Sequence, residues 1–181
     1  MANRGYTNTS IRKVAHETGF SLAGMYYYFK NKEDLLYQIQ YRTFASLLAE
    51  QEQSLNEGGD AETKLKRLVR NHLSYFSHHF NELKVCTFEL QSLQGERYRE
   101  IEMLRRRYFG CLSHVIAEIV GCSDAEAEAN QLVRHYTLFI FGMLNWIFMW
   151  FDPERDDSIE RLGDEMITLV LHGLEGEQGA T

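Results

Sequence analysis

The sequence predicts an all-α chain, with a small helix-turn-helix module at the N-terminus and a larger helical bundle behind it. Apolar residues recur at i, i+3, i+4 and i+7 through most of its 181 residues, which is the period of an amphipathic helix. The chain has one proline and few runs of alternating β-branched residues. A hydrophobic content of 44% is ample for a core.

Ile11, Val14 and Ala15 form one apolar face of a first short helix, which Thr9 or Ser10 can cap. Gly19 supplies the positive φ at its end. Ser21 can cap a second helix over residues 22–28. Asn31 can cap a third, whose first turn holds Glu33 and Asp34, where the helix dipole favours acids. Leu35, Leu36, Ile39, Phe44, Leu47 and Leu48 carry that helix to about residue 55, beyond the reach of a small module. Gly58-Gly59-Asp60 ends it. A long helix follows over 61–79, through Leu65, Leu68, Val69, His72, Leu73 and Phe76, then a shorter one over 82–93 that Gly95 breaks. Ile101, Leu104, Tyr108, Leu112, Val115 and Ile119 mark another stripe, ending at Gly121. Ser123 or Asp124 caps a helix running to residue 151, where Asp152-Pro153 stops it. Ser158 starts the last helix, through Leu162, Met166, Leu169, Val170 and Leu174. Gly173 or Gly176 lies near its end, and residues 175–181 are expected to fray.

Helix, tight turn and short helix make a helix-turn-helix, whose second helix enters the DNA major groove. Met25, Tyr26, Tyr27, Tyr28 and Phe29 run consecutively, so some rings must face outward. Met25 and Phe29 are expected in the core, and Tyr28 on either side. The ordered residues Gly5-Tyr6, Thr9-Ser10-Ile11-Arg12, Val14-Ala15, Gly19-Phe20-Ser21, Met25-Tyr26, Tyr28-Phe29, Asn31-Lys32-Glu33 and Leu35 resemble the N-terminal DNA-binding domain of the TetR/AcrR family of bacterial transcription regulators. The resemblance implies a double-stranded DNA operator as partner. It places Tyr26 and Tyr27 on phosphates and bases and Lys32 on the backbone. Ser10, Arg12, Ser21, Leu22, Ala23 and Gly24 are further contacts by the same matching, with Leu22 able to touch a thymine methyl. The family also has a first helix that ends near its Gly-Tyr pair. Here only residues 1–4 precede that pair, so this helix is expected to be largely missing, through truncation, a miscalled start or by nature.

The net charge is −7, but residues 1–44 hold six Lys or Arg against three Asp or Glu. A basic head on an acidic body suits phosphate binding at one end only, with salt-sensitive affinity. The expected division is a helix-turn-helix domain over 1–44 and a ligand-binding and dimerisation domain over 45–181. Cys86, Cys111 and Cys122 show neither paired nor metal-ligand spacing, which suits reduced thiols in a cytoplasmic protein. The most apolar run, residues 138–151, is shorter than the roughly 20 residues that span a bilayer. No membrane partner, cofactor, metal or catalytic constellation is expected. His72 and His79 can share a helix face, but a partly exposed pair is the expected reading rather than a metal site.

In the body, Phe76, Phe80, Phe88, Tyr108, Phe109, Phe139, Met143, Trp146 and Ile147 are candidates for an apolar effector pocket between helices. Arg99, Arg105 and Arg106, flanked by Arg97 and Arg107, are either a solvated basic face or a clamp for an anionic ligand. The segments around Gly142 to Trp146 and Trp150 to Pro153 resemble the branch of the family that answers to acyl-CoA thioesters. From Leu138 the helix is apolar on nearly every face, which calls for burial on all sides. A second copy can supply it, and the resemblance implies the same arrangement, a homodimer through the last two helices. Leu144, Phe148, Phe151, Leu162, Met166, Leu169 and Val170 are the candidate interface. The expected function is a ligand-responsive regulator, a repressor released from a palindromic operator by a small hydrophobic or acyl-CoA-like effector. The alternative is a dimeric sensor or adaptor that does not bind DNA.

Overall fold

The computed structural model describes residues 1–127 and 129–172. Among these it is helical throughout, with no strand. The helices are α1 (Ile11–Thr18), α2 (Leu22–Tyr28), α3 (Lys32–Asn56), α4 (Ala61–Ser77), α5 (Phe80–Phe88), α6 (Gly95–Ile119), α7 (Asp124–Ala127), α8 (Gln131–Trp146) and α9 (Ile159–His172). Short 3-10 turns follow α5 and α8, at Leu90–Ser92 and Ile147–Met149. Leu174, the end glycines Gly173 and Gly176 and the tail over 175–181 lie outside the described residues.

Local chemistry sets most of these boundaries. Ser10 caps α1 by accepting the Lys13 N–H, Ser21 caps α2 through Gly24 N–H, and Asn31 caps α3 through Asp34 N–H. Asp60 does the same for α4 through Thr63 N–H, and Ser158 for α9 through Arg161 N–H. Gly19 ends α1 at φ 72°, a left-handed conformation that a Cβ would strain.

Three boundaries differ from the sequence reading. The helix expected over 82–93 is α5 followed by a 3-10 turn. The stripe around Ile101 extends back to Gly95, so α6 is 25 residues long. The helix expected from 124 to 151 is two helices, because Asn130 breaks and restarts it. The Asn130 carboxamide oxygen accepts the Leu132 and Val133 N–H groups and so caps α8. Helix resumes over Gln131–Met149, 19 residues that are long and apolar enough to cross a membrane by length and composition alone.

The chain forms two compact units. The first is Met1–Ser46 with His79–Arg106, and the second is Leu47–His78 with Arg107–Thr181. In the first, Ile11, Ala15, Met25 and Leu35 make the core of the helix-turn-helix, with Met1, Val14, Leu22, Phe29 and Ile39 packed against it. Glu89 accepts the Tyr6 N–H at 2.8 Å, tying the N-terminal segment to the end of α5. In the second, α4 and α9 pack closely, with Arg70 and Asp164 paired across them at 2.7 Å. Gly163 permits that approach, since a Cβ there would lie 3.0 Å from Leu73 Cδ1, and Leu73 is buried. Gly163→Val is therefore expected to destabilise this unit by roughly 1–3 kcal/mol, read as a lowered urea midpoint. Gly163→Ala should be near neutral, because better helix propensity offsets the milder crowding.

Candidate nucleic-acid interface and effector cavity

The second helix of the motif has a sharply divided surface. Met25 is buried in the motif core, while Tyr26, Tyr27 and Tyr28 are all exposed, Tyr27 by 83%. The Tyr27 and Tyr28 rings meet edge to face at 5.1 Å, which limits their freedom. Ser10, Arg12, Ser21 and Ala23 are also exposed. Ser10 and Ser21 each use their hydroxyl as a cap acceptor, leaving the hydroxyl proton to donate outward. Gly24 has a local reason, since a Cβ there would lie 3.0 Å from Ser21 Oγ and crowd the cap. Leu22 is turned inward, packed on the core of the motif, so its side chain serves folding more than base contact. Lys32 donates to the Tyr6 carbonyl at 2.9 Å, and its ammonium lies 4.0 Å from the Tyr6 ring centroid. Those contacts hold a cation at the start of α3.

The arginines are dispersed rather than gathered into a clamp. Arg97 pairs with Asp34 at 2.7 Å, Arg106 with Glu102 and Arg107 with Glu52. Arg105 donates to the Cys86 carbonyl in the last turn of α5 and lies over the Phe44 ring. It thereby satisfies a helix-end acceptor. Burial pushes its pKa down and that of the Cys86 thiol up to about 12, so that thiol is inert. Arg99 is exposed.

The aromatic residues grouped from sequence also separate. Phe80 and Phe88 belong to the first unit, with Phe88 exposed. Phe76 and Ile147 are core of the second. Phe139, Met143 and Trp146 line an open apolar groove of about 760 Å³ on α8 and α9, together with Leu162, Met166 and Leu169. The reason is helical phase. Val133, Thr137, Ile140 and Leu144 form the buried stripe of α8, and the residues at 139, 143 and 146 lie off it. Leu144 is therefore core rather than interface, while Met166 is buried and still borders the groove. Phe148, Phe151, Leu162 and Val170 are half-buried and Leu169 exposed.

Of the pocket candidates, Tyr108 alone lines the enclosed cavity of the second unit, which measures about 10 Å³. Phe109 stacks on Phe141, which closes it. Two polar lining residues were not assigned to a pocket from sequence. Gln51 and His72 stand at core positions of otherwise apolar helix stripes, and that was the available signal. His72 is 2% exposed rather than half of an exposed pair, and its ring accepts from or donates to Tyr108 Oη at 2.9 Å. Burial holds its pKa down at about 3 and raises that of Tyr108. His72 Nε2 and Gln51 Oε1 have no hydrogen-bond partner among the described residues. Each such buried atom costs about 1–3 kcal/mol.

Two family models cover nearly the whole chain. The one described as bacterial regulatory proteins, tetR family, matches residues 1–39, and the tetracyclin repressor-like C-terminal domain matches 58–174. The chain belongs to the tetR family. It is a DNA-binding transcriptional regulator, as its capped helix-turn-helix and outward tyrosines already suggested. The chain is 24% identical over 178 residues to a fatty acid metabolism regulator protein of Bacillus subtilis, covering 98% of this chain and 91% of that one. A TetR-family transcriptional regulator from Bordetella parapertussis superposes with a TM-score of 0.88 at 23% identity, covering 96% and 88% of the two chains. AibR, solved in complex with isovaleryl coenzyme A and operator DNA, superposes with a TM-score of 0.76 at 22% identity, covering 93% and 90%.

Tyr27→Ala is expected to leave the urea midpoint unchanged and weaken DNA binding, whereas Met25→Ala should cost about 2–5 kcal/mol of stability. Fluorescence anisotropy and urea titration separate the two effects. His72 in the unfolded chain titrates near 6.5, well above its folded value of about 3. The unfolded state therefore takes up a proton that the folded state refuses. Stability should fall as pH drops from about 6.5 toward 3, by several kcal/mol, on the order of 5. His72→Phe should flatten this loss in unfolding measured across that range.

Proposed function

We propose that this tetR-family regulator acts in the cytoplasm as a homodimer that represses transcription from a palindromic operator and is released by a small hydrophobic effector of the acyl-CoA class. The observation that carries the reading is the exposed tyrosine row of α2, flanked by Arg12 and the Tyr6-held ammonium of Lys32. Phenol hydroxyls and cations beside a helix that fits the major groove suit phosphate and base-edge contacts. Residues 1–44 serve as the DNA-reading domain and 45–181 as the effector and dimer domain. A single short recognition helix covers few base pairs, and a two-fold copy reads the other half-site. The exposed apolar groove of α8 and α9 is the surface that such a copy would cover, in place of lipid. The effector class is supported by the B. subtilis relative, a regulator of fatty acid metabolism, and by AibR, whose complex contains an acyl-CoA together with operator DNA.

Anisotropy with duplex DNA from upstream of the gene tests the reading. Affinity should fall steeply from about 50 to 200 mM salt, with a log–log slope set by the phosphates neutralised. Decanoyl-CoA should release the complex. A chain that shows no sequence preference at any salt is not this repressor. Leu169→Glu should convert dimer to monomer in sedimentation and weaken operator binding by roughly tenfold or more.

A further inference from the structure

Three helices of the second unit meet in a buried polar chain that DNA reading does not use. Its proton order follows from one fixed acceptor. Gln51 Nε2 on α3 lies 3.2 Å from the Leu68 carbonyl and 3.2 Å from Tyr108 Oη. The carbonyl can only accept, so the amide nitrogen must be the atom facing it. The same NH₂ then donates to Tyr108 Oη, and the arrangement that also uses the phenol proton donates it to His72 Nδ1, 2.9 Å away. With Nδ1 an acceptor, the neutral ring carries its proton on Nε2. The chain therefore ends in one unmet donor, His72 Nε2–H, and one unmet acceptor, Gln51 Oε1. Both residues are at least 96% buried and both line one cavity.

We infer that this cavity recognises a neutral hydroxyl group on an otherwise apolar effector, with His72 Nε2–H donating to the hydroxyl oxygen and Gln51 Oε1 accepting its proton. The assignment rests on the reading of this unit as the effector domain and names the chemistry of the guest. A hydroxyl meets both unmet groups, whereas a ketone, ester or ether oxygen leaves Gln51 unmet. No charged side chain lines the cavity, so a carboxylate, phosphate or ammonium would enter without a counter-charge. The low pKa of His72 agrees, because the ring stays neutral. A volume of about 10 Å³ admits one water at most. A ligand hydroxyl has the same donor and acceptor character as one water and the same small size. The carbon skeleton needs more room. Phe141 of α8, stacked on Phe109 at 5.8 Å, is the side chain to be displaced. Displacing it acts on the helix whose other side carries the apolar groove.

The test uses two matched pairs, 3-hydroxydecanoyl-CoA with decanoyl-CoA and 1-octanol with its methyl ether. Calorimetry on the full chain should favour the hydroxyl member of each pair by about tenfold or more. His72→Phe and Gln51→Met should each bring the ratio toward one. On the wild-type chain, nitrogen-15 NMR of the histidines should show the Nε2–H tautomer at His72, with its resonance moving on addition of the hydroxyl ligands. An Nδ1–H tautomer, equal affinity within both pairs, or no binding by any of the four overturns the inference. Preference for octanol with neither thioester bound supports it and overturns the acyl-CoA reading alone.

Discussion

The DNA-reading half of the molecule depends on Asp34. One carboxylate oxygen accepts the Lys30 N–H at 2.9 Å, which fixes the turn between the recognition helix α2 and α3. The other takes Arg97 at 2.7 Å, at the start of α6. Asp34 is 8% exposed, so its charge is compensated by these partners and not by water. Removing one partner of such a buried pair leaves a charge uncompensated, at about 3–5 kcal/mol. The pair anchors the turn behind the tyrosine row to a helix that continues past Arg106 into the other compact unit. α3 crosses the same boundary.

Charge and aromaticity divide the labour within the head. Its core is small and aliphatic, while three tyrosines stand outward in sequence. Exposed rings cost solubility unless a partner covers them. Of the arginines that could suggest a second anion site, Arg97, Arg105, Arg106 and Arg107 are engaged by Asp34, the end of α5, Glu102 and Glu52, and Arg99 is exposed.

In the body, two unfinished surfaces differ in kind. The groove on α8 and α9 is wide, open and apolar, and it calls for a large flat partner. The cavity at Gln51, His72 and Tyr108 is closed, minute and polar at two atoms, and it calls for a small neutral group. Both involve α8, one on each side. The two faces are linked through the packing of α8, since interiors at crystal-like density pass on small displacements.

Much of this protein was legible without coordinates. Helix period, the caps at Ser10, Ser21 and Asn31, the left-handed turn at Gly19 and the ordered tetR-like residues are local. Each is set by neighbours three or four positions away, so sequence alone determined them and, with them, the family and its DNA-binding role. The break at Asn130 was also local but ambiguous, since a mid-helix Asn can face solvent or cap a new helix. Tertiary structure alone decided what depends on distant approach. The chain from Leu68 through Gln51 and Tyr108 to His72 links residues 17, 57 and 36 positions apart. Their proton order cannot be read from spacing, because it is fixed by which acceptor each donor meets. The same holds for α8: its sequence is apolar almost all round, and only the packing of the body selects the face it buries and the face it leaves exposed.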